Sequence, residues 1–522
     1  MSITLSYPGV YIQEVPSGVR TLASVPTSIT AFVGRCTLGA VEQPTDCFSF
    51  GEFVRRFGGL AADFPLTYAV RDFFANGGGQ AQIVRLFRAG GDDGVARVTV
   101  GGSLTLMAAT PGGWGNALRA TVSYAANTPA DNAALDSIAL PLGLTRADFF
   151  DLAVQDSARG TTEVYRNLSV AATAGARRVD RTLAASSNLV RTDGALPGAR
   201  PAEQAGAAAA GGNDGQTLNT PTYQGDLDAK TGMRALEKAD LFNILCIPPD
   251  TRDSDIAPEV WASAATYCVG RRVFLVVDPP ATWTANPANA VATARDAVRN
   301  APLVSGTDAR NAALYFPRLV MRDPLRDNQL ETFAPCGAIA GLYARTDATR
   351  GVWKAPAGLD AALTGIDRLE VPLTDDENGV LNPLGVNCLR SFPGLGRVIW
   401  GARTMRGTDQ LGDEYKYVPV RRLALFLGES LFRGTQWVGF EPNDEPLWAQ
   451  IRLNIGAFMQ QLFRQGAFQG TSPRDAYFVK CDRETTTQDD IDRGIVNIAV
   501  GFAPLKPAEF VVISIQQIRN AD

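Results

Sequence analysis

The chain has 522 residues, 45% hydrophobic and 20% charged, with a formal net charge of −5. At roughly 150 residues per domain this describes a folded chain of about three or four domains, and so mild a charge argues against a surface built to coat nucleic acid. There is no histidine, which excludes Ser-His-Asp and Cys-His catalysis, His-ligated metals and imidazole acid–base chemistry.

Lysine occurs six times, so arginine supplies most of the 49 cations. The arginine fork suits repeated carboxylate contacts at protein interfaces, and a GC-rich genome produces the same bias. Cys36, Cys47, Cys246, Cys268, Cys336, Cys388 and Cys481 are odd in number, form no C-x-x-C, and in several cases sit in apolar runs such as LFNILCIPP. That pattern fits free core thiols in a reducing compartment better than a disulfide scaffold or a metal site.

The opening MSITLSYPGVYIQEV lacks a basic stretch followed by a long apolar one, and the longest apolar runs, VFLVV and FVVISI, are strand-sized. Neither a signal peptide nor a membrane span is expected. Ile3, Leu5, Tyr7, Val10 and Ile12 around Pro8-Gly9 predict extended strand with a break. Residues 100–225 predict a β-rich insert that ends in an exposed loop over 203–215. Between Leu241 and Val320, three short apolar runs separated by helix-length stretches predict a βαβαβ unit with a parallel sheet.

Two amphipathic helices follow. Leu423, Phe426, Leu427 and Leu431 form the stripe of one; Leu447, Ile451, Ile455, Phe458, Met459, Leu462 and Phe463 form that of the other, opened by Asn443, Asp444, Glu445 and Pro446. Arg452, Asn454, Gln461 and Gln465 are expected on its polar face. The chain closes with two alternating runs, Val496-Ile498-Val500-Phe502 and Val511-Ile513-Ile515, separated by Pro504 and Pro507.

Motifs for chemistry are missing. Glycines at 77–79, 112–115 and 211–215 match neither GxxxxGK[ST] nor a dinucleotide fingerprint. Asp375, Asp376 and Glu377, and Asp489, Asp490 and Asp492, do not keep a calcium-loop register and read as helix-start or solvated charges. No G-x-S-x-G is present. No catalytic, cofactor-binding or metal residue is expected.

Longer strings carry a resemblance. PGVYIQEVPSG, TSITAFVG, FGEFVRRFGG, PGGWGN, TGMRALEKADLFNILCIP, GLYARTDATRGVWKAPAG, LNPLGVNCLRSFPGLGRVIWGART, VRRLALFLGESLFRGTQWVGFEPNDEPLW, AYFVKCD and APLKPAEFVV resemble, in this order, successive blocks of the contractile tail sheath family of phages and phage-tail-like injection particles. Gly428 and Gly439 depart from its usual pattern.

The resemblance implies a mixed α/β (α+β), multi-domain structural subunit and not an enzyme. It implies stacking as six-membered rings in a helical sleeve around an inner tube, and contraction that drives the tube through a target envelope. The implied segments are an N-terminal strand arm (1–20), the first part of an inner domain (21–95), a β-rich outward insert (96–225), a central α/β domain (226–380), a C-terminal inner domain (381–503) and a C-terminal strand arm (504–522). Implied partners are further copies, the tube, baseplate and terminator proteins and sibling sheath proteins, assembled in a bacterial cytoplasm without nucleic acid, membrane insertion or cofactor.

On this reading Val10, Tyr11 and Ile12, and Val511, Val512, Ile513 and Ile515, are strands exchanged between subunits, because unpaired apolar strands are a hazard on a monomer and a directional link in a polymer. Tyr477, Phe478, Val479, Val496, Ile498 and Val500 are expected in the receiving sheet, and Arg452, Gln461 and Arg464 as tube contacts. The alternatives are a baseplate or other component that borrows the fold, and an α/β enzyme. Without imidazoles, little titration is expected between pH 5 and 8.

Overall fold

The computed structural model describes residues 22–125 and 128–512. At its centre is an eight-stranded sheet in the spatial order Gly396–Ile399, Val386–Phe392, Ala312–Phe316, Phe274–Val277, Ile244–Cys246, Thr30–Gly34, Ala81–Arg85, Thr45–Cys47. The six inner strands run parallel and the two outermost antiparallel. The three apolar runs read as βαβαβ are consecutive neighbours here, with helices Pro258–Arg271 and Ala290–Asn300 as crossovers.

Both faces of this sheet are covered, which is why its strands are almost continuously apolar. Side chains alternate between two cores. Ala31, Val33, Leu245, Leu275 and Leu314 pack with Trp261, Ala264 and Ala294 on one side. Phe32, Ile244, Cys246, Phe274 and Tyr315 pack on the other with Phe53, Phe73, Ile339 and Leu342, from helices Phe50–Phe57, Pro65–Ala75 and Cys336–Arg350. The seven cysteines are buried and free. Burial pushes the Cys36 and Cys388 thiols up to about 12, which keeps them protonated and unreactive.

This sheet cuts across the expected segments. Thr30–Gly34, from the expected segment 21–95, lies between Ile244–Cys246 of the central region and Ala81–Arg85, and is buried along its whole length. A strand buried on both faces needs neighbours on both edges to satisfy its backbone.

The insert has its own core, built from Val98, Leu106, Trp114, Leu118, Leu152, Val154 and Leu183, between a three-stranded and a four-stranded sheet. Buried Arg85 ties it to the large sheet by donating to the carbonyls of Cys36 (2.9 Å), Gly39 (2.8 Å) and Pro111 (2.7 Å). The stretch expected as an exposed loop over 203–215 is largely exposed, but part of it is strand. Gln204–Ala208 is an edge strand antiparallel to Leu118–Ser123, and Asn116 fixes Gly212 through two 2.8 Å bonds. Backbone bonding holds this Ala- and Gly-rich stretch, so it carries no apolar alternation to read.

Both acidic clusters open helices. Thr374 with Glu377, and Thr487 with Asp490, form capping boxes. Among the described residues no group of three or more Cys, Asp or Glu is placed to hold a metal ion, and no helix is long and apolar enough to cross a membrane.

Candidate functional site

The C-terminal block is built on the two helices that the apolar stripes predict, Val418–Gly434 and Glu445–Arg464. The first joins two cores. Val418 and Leu425 belong to the core of the large sheet, whereas Leu423, Phe426 and Leu427 meet Leu447, Ile451, Ile455, Phe458 and Leu462 of the second helix. At the junction buried Arg422 bonds both carboxylate oxygens of Asp347 at 2.9 and 2.6 Å and the carbonyl of Thr27 at 3.0 Å. Burial alone would lower the Arg422 pKa, but the charge and hydrogen bonds of Asp347, together with Tyr343 and Tyr315, outweigh it and raise the pKa. One ion pair thus joins the root of the N-terminal segment, a central helix and the C-terminal block.

Against the second helix lies a small antiparallel sheet, Tyr477–Lys480 with Ala499–Phe502. Tyr477, Val479, Val500 and Phe502 pack on the helical core, and Tyr477 donates to Gln460 Oε1 at 2.8 Å. On the other face Phe478 is 52% exposed. A side chain at Gly501 would overlap the Phe478 ring, so glycine lets that ring lie across the neighbouring strand. Within the described residues neither strand has a second neighbour. Two-stranded sheets are marginal alone, and both edges offer unpaired donors and acceptors.

Val496 and Ile498 do not belong to this sheet, which corrects the expectation. They are half-buried against the helical core but precede the strand, which begins at Ala499. The partner strand stops at Lys480 and the chain turns at Asp482, whose carbonyl accepts from Thr486 N at 2.8 Å. Asn497 N instead donates to Thr486 Oγ1 at 3.1 Å.

Both chain termini have their roots at this block. Leu22 is buried in the helical core, and glycine at 434 leaves it room, since a Cβ there would overlap the Leu22 side chain. At the other end Ala503 N donates to the Ala476 carbonyl at 2.8 Å and Gln469 N to the Ala503 carbonyl at 2.9 Å. Val511 and Val512 are 80% and 88% exposed and in no strand. Val10, Tyr11, Ile12, Ile513 and Ile515 lie outside the described residues.

The outer face of the Glu445–Arg464 helix differs from its sequence reading in two places. Asn454 is buried; it stands three residues after Ile451 and four before Phe458, on the apolar stripe itself. Arg452 turns back on its own domain, pairing with Glu445 at 2.6 Å and donating to the Cys481 carbonyl. Gln461 and Arg464 are exposed, as is Leu453 at 54%.

A cleft of about 720 Å³ lies beside this block, lined among others by Arg350, Trp353, Lys354 and Trp400 and bounded by residues 505–510. Burial, then the charge of Arg350, lowers the Lys354 pKa. Sequence reasoning missed this cleft and the contact of Glu509 with Arg403 at its edge, because both join residues far apart in the chain with no local signature.

Comparison with known proteins places these features. The family model of the phage tail sheath protein central domain matches residues 223–405, and that of the phage tail sheath C-terminal domain matches residues 411–518. Together they span more than half of the chain. The tail sheath protein of Vibrio phage KVP40 is 27% identical over 179 residues, 34% of this chain and 25% of the relative. That of Enterobacteria phage T4 is 24% identical over 189 residues, 36% of this chain and 27% of the relative. The chain thus aligns with only about a quarter of the length of these curated relatives.

Among solved structures, the sheath of the extracellular contractile injection system PVC, in the contracted state, is similar over 99% of both chains, with a TM-score of 0.58 and 21% identity. The contracted helical sheath of the anti-feeding prophage covers 98% of this chain and 100% of its own, with a TM-score of 0.57 and 22% identity. The sheath tail protein from Listeria innocua covers 92% and 96%, with a TM-score of 0.61 and 13% identity.

Proposed function

We propose, from the premise that this chain belongs to the phage tail sheath family, that it is the structural subunit of a contractile sleeve. Copies stack as six-membered rings around an inner tube, and the sleeve shortens to drive the tube through a target envelope. The observation that carries this reading is that both terminal roots attach to the block that carries a small sheet whose two strands have no second neighbour among the described residues. The edges of Tyr477–Lys480 and Ala499–Phe502 receive strands from neighbouring copies, with Val10–Ile12 and Val511–Ile515 as the exchanged segments. A contact made by one copy's terminus on another copy's sheet is head-to-tail, and when it does not close it generates a helix.

Contraction needs no nucleotide in this scheme. The extended sleeve is held above its final state by the tube and baseplate, and its lifetime is set by a barrier. Tube contact falls on the outer face of the Glu445–Arg464 helix, where exposed Arg464 and Gln461 are better placed than Arg452, whose charge is already paired. Each exposed contact is worth little, and many copies releasing together make the sum steep. The insert, with its own core, points outward, and assembly takes place in a bacterial cytoplasm with baseplate, terminator and sibling sheath proteins.

A second reading, a disc-forming baseplate component, is favoured by one observation: a chain in the anti-feeding prophage baseplate is similar over 99% of this chain with a TM-score of 0.57. Negative-stain microscopy of the purified protein with its tube partner separates the two, a hollow striated cylinder against a disc. The tube contact is tested by Arg464→Glu, which should abolish co-assembly with the tube while leaving sheath self-assembly intact. Unchanged co-assembly would remove Arg464 from the interface.

A further inference from the structure

Residues 505–512 run along the surface, with Leu505 36%, Phe510 74%, Val511 80% and Val512 88% exposed. Glu509 breaks this run. Its carboxylate is taken by Arg403 through a two-pronged contact, Nε to Oε1 at 2.8 Å and Nη2 to Oε2 at 2.7 Å, and Tyr417 Oη donates to Oε2 at 3.2 Å. Among the described residues, Glu509 carries the hydrogen bonds of this stretch.

The receiving side is held by its own hydrogen bonds. Arg403 has a fully buried side chain. Its backbone is fixed by Asn387, whose Oδ1 accepts from Arg403 N at 2.6 Å and whose Nδ2 donates to the Arg403 carbonyl at 2.8 Å. Nη1 is spent on the Gly407 carbonyl at 3.3 Å and on Asp409 at 3.0 Å, and Asp409 is itself shared with Lys416 at 2.6 Å. That leaves Nε and Nη2 aimed at one place, in the parallel geometry that a carboxylate fills. With Glu509 removed, two donors of a buried cation lose their acceptors, which is costly.

We infer that Arg403 is a carboxylate receptor that seats Glu509 of its own subunit, so that the C-terminal arm leaves the body at Phe510 and not at residue 504. The segment from 505 to 509 then acts as a strap across the mouth of the Trp353–Trp400 cleft, pinned at one end by the pairing at Ala503 and at the other by Glu509. Only the residues beyond this pin are free to reach a second copy, and the pin sets the direction in which they leave. The seat itself does not depend on the sheath reading; the use of the arm beyond it does.

The seven native cysteines are buried, so two introduced surface thiols can be labelled selectively. In the full-length subunit kept dilute and unassembled, nitroxides at Ala508→Cys, on the exposed strap beside Glu509, and Leu411→Cys report the distance between the strap and the Arg403 loop by pulsed electron resonance. One narrow distance population is expected, with Glu509→Gln reducing it by about tenfold, as expected for loss of charge-assisted bonds. Glu509→Asp, which keeps the charge, should retain part of it. A broad distribution in the wild-type pair, or a narrow one unchanged by Glu509→Gln, would overturn the seat. Microscopy of the same samples under assembly conditions scores the sheath reading separately, since cylinders with no seat and a seat with no cylinders are distinct results.

Discussion

Asp278 and Asp72 are buried aspartates, each with one carboxylate oxygen that has no hydrogen-bond partner. Asp278 accepts from Cys336 N at 2.8 Å and Asp72 from Arg71 at 2.9 Å, yet burial pushes both carboxyls up to about 6. The histidine-free chain therefore has groups that titrate at the lower edge of the window expected to be quiet. Their folded pKa lies above the unfolded value of about 3.9, so the folded state holds protons that the unfolded state releases, and stability falls as pH rises from about 4 to about 6. Asp278→Asn should stabilise the protein at pH 7 by up to about 2–3 kcal/mol, with the gain vanishing near pH 4. Denaturant unfolding across that range tests it, and a difference independent of pH would contradict it. Arg422 presents the opposite case. Its removal leaves Asp347 buried without its cation, so Arg422→Ala should cost about 3–5 kcal/mol, and the double variant with Asp347→Ala should cost less than the sum of the two.

At the scale of elements, the small sheet is the sensitive part. Gly501→Ala would force the Phe478 ring off its neighbour strand, at about 1–3 kcal/mol. Adding Phe478→Ala should recover most of this, measured as hydrogen-exchange protection of 477–480 and 499–502. Elements were legible in the sequence where burial leaves a period. The stripes of Val418–Gly434 and Glu445–Arg464, and the continuous apolar runs of Ile244–Cys246, Phe274–Val277 and Ala312–Phe316, mark their own type. Partners were less legible. Thr30–Gly34, buried on both faces, carries no sign that its neighbour begins at Ile244, and Gln204–Ala208 is a strand held by hydrogen bonds with no apolar alternation. Of the candidate site, Tyr477, Phe478, Val479 and Val500 could be read as strand, whereas Val496 and Ile498 continue the alternation past the point where their partner has turned away. The direction of Arg452 follows from Glu445 and Cys481, which no helical wheel of exposed positions displays.

For the whole molecule, Arg85 ties the insert to the large sheet, the Val418–Gly434 helix and the Arg422–Asp347 pair tie the C-terminal block to it, and both terminal roots attach at that block. Leu22 against Gly434 and Ala503 against Ala476 place both roots within the block that carries the open-edged sheet. In the proposed sleeve, bodies remain rigid during contraction, and reorientation is absorbed by the arms beyond the body, which at the C-terminal end begin at Phe510, past the Glu509 seat. Links of this kind hold neighbours together while their angles change, so the mesh survives the transition that a set of surface contacts alone would not. The most direct measurement is electron microscopy of the protein lacking residues 1–18, expressed with its tube partner beside the full-length chain. Striated cylinders from the full-length chain and only single folded subunits from the truncated one are expected; cylinders of normal diameter and length from the truncated chain would contradict assembly by strand exchange.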